Sequence, residues 1–353
     1  MKSYYFETLD EFIYKFGDEE AVYLLLVAEE TSFSHSKISQ LKARCYGAIF
    51  PEIIYENSHL KKGIIVTELE QEPTLIDTMD TPVFTGTNIE NIGSMLVFVD
   101  GLSAYIDSFL FSLFESIDED CILFGGGAGK LTLKQEKVIF SPQKMAQDAA
   151  LMVALSQTVN VGVNHGWEFL EGPFVATSTD KNLLKKIDYE SAFDVYKSVV
   201  EKDSKLKFTD DNFFDISKSY PLGIVTMDGE VIVRDPILTE DGTLVLVGVM
   251  PENSVINILK GEKSNLINAA SHAADSAMSS SCDSDIVFMI DCISRVLFLE
   301  DSFKEEIGSI KNKIGSVPLV GALTLGEIAN NSKEYIDFYN KTCVVGALCS
   351  SNS

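Results

Sequence analysis

Several chemistries have no foothold in this chain. The four histidines, His35, His59, His165 and His272, are scattered, and none of the six cysteines forms a C-x-x-C pair, so zinc-ligand spacing is missing. Neither G-x-S-x-G nor H-E-x-x-H occurs, and the start Met1-Lys2-Ser3 supplies no N-terminal nucleophile. Bases are scarce: 28 Lys and Arg stand against 53 Asp and Glu, a net charge of −25. Phosphate contacts dominate nucleic-acid affinity, so such a surface argues against DNA or RNA as a main partner. Apolar runs such as Ala21–Ala28 are too short to span a bilayer. The start MKSYYFETLDEF places acids where a signal peptide carries its apolar region. A cytoplasmic protein without membrane insertion, metal or cofactor is expected.

What is present is one theme stated three times. Each copy opens with an apolar strand: VYLLLVAE from Val22, LVFVDG from Leu96 (ending at Asp100 and Gly101), and IVFMIDCISR from Ile286. A helix-capable stretch follows, then a small-residue strand: YGAIFPEII from Tyr46, FGGGAGK from Phe124, and VGALTLGEIAN from Val320. Another apolar strand closes each copy, beginning at Gly63, Ala150 and Thr342. This is a β-α-β unit followed by a hairpin, and Glu52 in PEII is expected to match Glu327 in GEIA. Equivalent strand ends from different copies can converge on one cleft, since ligands of α/β layers bind at carboxyl ends of strands. The fold class expected is α+β, with helices covering largely antiparallel and mixed sheets.

At 353 residues the chain is long for one core, and two domains are the prior. The polar stretch EKDSKLKFTDDN places the boundary near residue 212, giving domains 1–212 and 213–353. Helices are expected behind Ser103, over Ser191–Lys202, over Asn265–Met278 with an alanine stripe, and after Ser302, which with Glu305 spells a capping box. GIVTM, Asp228-Gly229 and EVIVR read as a two-residue hairpin, and the strands from there to SVINIL as a four-stranded meander.

Candidate functional residues follow from these strand ends. FGGGAGKLT fails as a phosphate loop: the first glycine would fall on Phe124, and Leu131 follows Lys130 in place of Ser or Thr. What remains is Gly125, Gly126 and Gly127, which let a backbone approach either another strand or a ligand. Arg234 and Asp235 end a strand before Pro236, and Asp291, Cys292 and Arg295 leave the third copy's first strand. An arginine fork suits a carboxylate, or pairs with one of the many acids. Glu327 and Asn340 could meet these arginines in one polar cleft, with Asp100 at the matching end of copy two. Cys292 with His272 as base is the thin catalytic alternative. All six cysteines are expected to be reduced core thiols.

The ordered set GGGAG (Gly125–Gly129), PLG (Pro221–Gly223), VRDP (Val233–Pro236), EDG (Glu240–Gly242), DCISR (Asp291–Arg295), GALTLGEI (Gly321–Ile328) and FYNKT (Phe338–Thr342) resembles the FIST family, with its paired N- and C-terminal domains. The similarity runs over roughly residues 20–348. Three positions depart from the family pattern: Ser294 for a glycine, Tyr339 for a histidine and Lys130 for an acid. The resemblance implies an intracellular sensory module that binds a small ligand, such as an amino acid or related carboxylate. The chain carries no kinase, cyclase or chemotaxis segment, so a separate signalling partner is expected. An enzyme acting on a small polar metabolite and a pure protein-interaction scaffold are the alternatives.

Overall fold

The computed structural model describes residues 1–84, 92–226, 229–279, 283–330 and 335–350. Three of its sheets share one plan. In the first, Val22–Ala28 runs parallel to Arg44–Phe50 and antiparallel to Ile64–Leu69. In the second, Ser94–Asp100 lies between parallel Ile122–Ala128 and antiparallel Ala150–Leu155. In the third, Ser284–Cys292 lies between parallel Leu319–Thr324 and antiparallel Cys343–Cys349. The three units read from the sequence are therefore real. The intervening helix differs: a single turn, His35–Ile38, in the first unit, Ile106–Phe114 in the second, and Ile293–Leu299 with Phe303–Ile314 in the third.

The register explains the small residues of the second strand. Gly47 pairs with Leu25, Gly125 with Val97 and Gly321 with Met289, three equivalent positions. A Cβ there would lie 2.0, 1.7 and 1.8 Å from the partner's carbonyl oxygen. At this place in each copy the strands approach too closely for any side chain.

Each unit lends its hairpin to a neighbour. Glu52–Tyr55 and Ser58–Leu60 join the third sheet beside Leu319–Thr324. Ile139–Phe140 and Met145–Ala146 join the first beside Arg44–Phe50. Glu327–Ala329 and Asp337–Tyr339 join the second beside Ile122–Ala128. The exchange is cyclic, so the C-terminal part of the chain completes an N-terminal sheet and the reverse. Aromatic contacts tie the units together inside, Phe50 on Phe98 at 5.0 Å and Phe124 on Phe288 at 6.0 Å.

This register corrects one expectation. Glu327 lies opposite Gly126, one step past the key glycine, whereas Glu52 lies opposite Leu323, two steps past it. The residue matching Glu327 is Ile53, and a one-residue slip puts side chains on opposite faces. Glu52 instead bonds His59 Nδ1 in its own hairpin.

The fourth sheet closes on itself. Its order is Glu168–Asp180, Val255–Lys260, Leu222–Val225, Val231–Glu240, Thr243–Val247 and Leu183–Ile187, and the last pairs again with Glu168–Asp180. Closure leaves no open edge in this ring. Helix Ala192–Ser204, capped by Ser191 Oγ accepting from the Asp194 N–H, packs Tyr196, Val199 and Val200 into its core. The expected four-stranded meander is three-stranded: Val255–Lys260 returns beside Leu222–Val225, not beside Thr243–Val247. Asp228 of the expected turn lies outside the described residues.

Two smaller expectations also change. Ser302 makes no side-chain cap because a 3-10 turn, Glu300–Ser302, runs directly into the helix that follows and holds Ser302 in helical geometry. Cys45, Cys121, Cys292 and Cys343 are free and buried, but Cys349 is disulfide-bonded.

Candidate functional site

A cavity of about 530 Å³ opens where the barrel meets the ends of the second and third units. Its walls come from the Gly101–Asp107 segment, the barrel residues Asp235–Val249, the Cys292–Leu297 turn, and the hairpin around Gly326 and Phe338. Leu102, Ile106, Leu246, Val247, Leu297 and Phe338 make the lining mostly apolar. Size and character match those of small-molecule sites.

Four polar side chains of the lining are themselves buried: Asp235, Asn340, Ser294 and Cys292. Asp235 Oδ2 holds Lys341 Nζ at 3.1 Å, while Oδ1 has no hydrogen-bond partner among the described residues. Burial raises its pKa and Lys341 opposes that shift. The Ser294 hydroxyl lies close enough to favour the charged carboxylate, but the hydrogen bond with satisfactory geometry is to Cys292 Sγ at 3.1 Å. Asn340 Nδ2 donates to the Tyr339 carbonyl at 2.8 Å, and its Oδ1 has no partner among the described residues. A buried acceptor without a donor costs about 1–3 kcal/mol. Both residues line the cavity, so a donor-bearing guest is one way to relieve the deficit.

Lys341, fully buried, escaped the sequence reading. Its ammonium also donates to the Lys218 carbonyl at 3.0 Å and lies 4.8 Å from the Trp167 ring centroid. Its own carbonyl accepts from Trp167 Nε1 and Arg295 Nη1. The signal for it was present: a lysine within FYNKTCVVGA, between two buried strands, must find an anion.

The two candidate arginines do not line the cavity. Arg295 is fully buried and spends all five donors within the protein, on His165, Leu266 and Lys341 carbonyls and on Glu306. Asp291 Oδ1 is 3.0 Å from its Nε, yet neither carboxylate oxygen of Asp291 has an aligned hydrogen bond among the described residues. Burial, then Glu306, push the Asp291 pKa well above the usual range despite the arginine. Arg234 donates to the Val249, Val233 and Phe338 carbonyls at 2.8, 3.0 and 3.1 Å. It sits one layer behind the wall, against Gly248, whose φ of 83° lets the backbone fold over the guanidinium. Neighbours on a strand face opposite ways, so Arg234 and Asp235 cannot both point into one cavity.

The remaining candidates support the site from outside. Glu327 Oε1 accepts from Thr324 Oγ1 at 2.8 Å and Oε2 from the Thr342 N–H at 3.2 Å. Burial lifts its pKa to about 8. Asp100 accepts from the backbone N–H groups of Leu102 and Asp148 and from Gln135, which fixes the loop forming one wall. Gly126 and Gly127 have no room for a Cβ because Gly326 O and Gly101 Cα lie within 2.9 Å of it, so this glycine run meets other backbone.

Family models match residues 16–190 as the FIST N domain and 192–330 as the FIST C domain. The chain belongs to the FIST family, whose domains are sensory domains of signal transduction. The two models meet at the strand Glu190–Ser191, which pairs with Leu183–Ile187 of the barrel. No curated protein matches the chain. Among the described residues, no helix is long and apolar enough to cross a membrane.

Proposed function

We propose that this protein senses a small molecule held in the cavity between barrel and units, and passes its occupancy to a separate signalling partner. The observation that carries this reading is the pair of buried acceptors without a hydrogen-bond partner among the described residues, Asp235 Oδ1 and Asn340 Oδ1, on a mostly apolar wall. Asp235 belongs to the barrel and Asn340 to the third unit, so a guest bonding both would change how the two parts hold each other. Amino acids enter this class through their ammonium group. Cys292 does not suit nucleophilic chemistry, because burial raises its thiol pKa far from the thiolate range.

Thermal-shift screening of metabolites, amino and organic acids included, tests the proposal. A ligand at about a hundred times its dissociation constant should add ~2.7 kcal/mol of stability. Leu297→Trp, at a half-exposed wall position, should remove the response without unfolding the protein. Hits that Leu297→Trp leaves untouched would place the ligand elsewhere, and consumption of a hit during incubation would favour an enzyme.

A further inference from the structure

Resting on that reading, we infer that the group reaching the buried polar residues of the cavity is a cationic amine on an apolar body, and that a carboxylate is not required. Among the described residues, the lining carboxylate and amide oxygens without an aligned hydrogen bond are Asp235 Oδ1 and Asn340 Oδ1, on residues about 1% exposed, with the Ser294 hydroxyl close to the carboxylate. An ammonium supplies three N–H donors and forms charge-assisted bonds to a carboxylate. A carboxylate offers only acceptors, and the groups that would receive it are engaged: Arg295 is saturated, Arg234 lies behind Gly248 and Val249, and Lys341 is held by Asp235. Lys181, the cation on the lining, is exposed and far in character from the apolar interior. Leu246, Phe338 and Ile106 then take the ligand's hydrocarbon part. The net charge of −25 favours the approach of a cation and opposes an anion.

A matched series separates the head groups: 2-phenylethylamine, L-phenylalanine, 3-phenylpropionate and 3-phenylpropan-1-ol, titrated calorimetrically into the full chain at neutral pH. The amine should bind saturably and the propionate should not. Asp235→Asn should weaken the amine about tenfold to a hundredfold, the value of a charge-assisted bond. If Asp235→Asn fails to fold with Lys341 left unpaired, the double variant Asp235→Asn/Lys341→Met removes both charges and replaces it. Propionate binding that equals or exceeds the amine, and is lost in Leu297→Trp, overturns the head-group inference while leaving the cavity reading intact. Amine binding unchanged in Leu297→Trp overturns both. No binding by the amine overturns the inference alone, since the metabolite screen judges the cavity independently.

Discussion

The first and third units have the same strands in the same register and bury opposite chemistry. Val27 and Ala28 of the first correspond to Asp291 and Cys292 of the third, and Phe50 to Thr324. The first unit's strand end merges into an apolar core with Ile49 and Ile64. The third encloses Asp291, Arg295, Glu306 and Glu327, none of them accessible to solvent. The second stands between, with Asp100 satisfied by loop N–H groups. Repetition thus sets where strand ends converge. Which end becomes a polar site depends on a few residues that the repeat geometry does not constrain.

The sharpest way to break this comparison is to remove charge from the third unit. Arg295→Met leaves Asp291 and Glu306 buried without their cation and should cost about 3–5 kcal/mol in denaturant unfolding. Val27→Ala, at the matching place of Asp291, should cost less, about 1–2.5 kcal/mol. Equal losses would mean that the buried charges are not an energetic centre.

If the units are true equivalents, Gly47→Ala, Gly125→Ala and Gly321→Ala should each destabilise by about 1–3 kcal/mol through the same clash with a strand carbonyl. A neutral outcome at any one of them would single out a unit whose strands can separate.

The third unit should also make stability depend on pH near neutrality, through Glu327. Glu327 is held protonated with a pKa of about 8, against 4.5 when free. Between these values the native state binds more protons than the unfolded state, so stability falls as pH rises through that window. Its contribution is complete below pH 4.5 and is lost above pH 8. Melting curves from pH 5 to 9 should show the decline, and Glu327→Gln should flatten it.

The smallest effect concerns the cysteines. Thiol titration of denatured, non-reduced protein should find four of six, with the disulfide at Cys349 accounting for the difference. Six would restore the expectation of uniformly reduced thiols.

Much of the fold was legible because alternation, apolar runs and small residues are local properties. VYLLLVA, SMLVFVD and the strand ending in DC announce themselves, and the alanine stripe of Lys263–Ala277 is buried as its spacing requires. The candidate site was legible only in part. Asp235 and Asn340 reach the cavity, as does the turn after Cys292, while Arg234, Arg295, Glu327 and Asp100 lie behind or beside it. Facing direction could have separated Arg234 from Asp235, but only once the strand's buried face was known.

By itself the sequence determined three strand–helix–strand units, their glycine positions and the family, since each depends on residues near one another in the chain. It could not determine that each unit's hairpin completes a different unit's sheet, because pairing partners up to hundreds of residues apart carry no local mark. It could not show six strands of the fourth sheet closing into a barrel, nor Lys341 meeting Asp235 across 106 positions. Only the tertiary structure decided which charges neutralise each other. Burial makes an unpaired charge too costly to keep, and the folded chain alone shows which partner stands within reach.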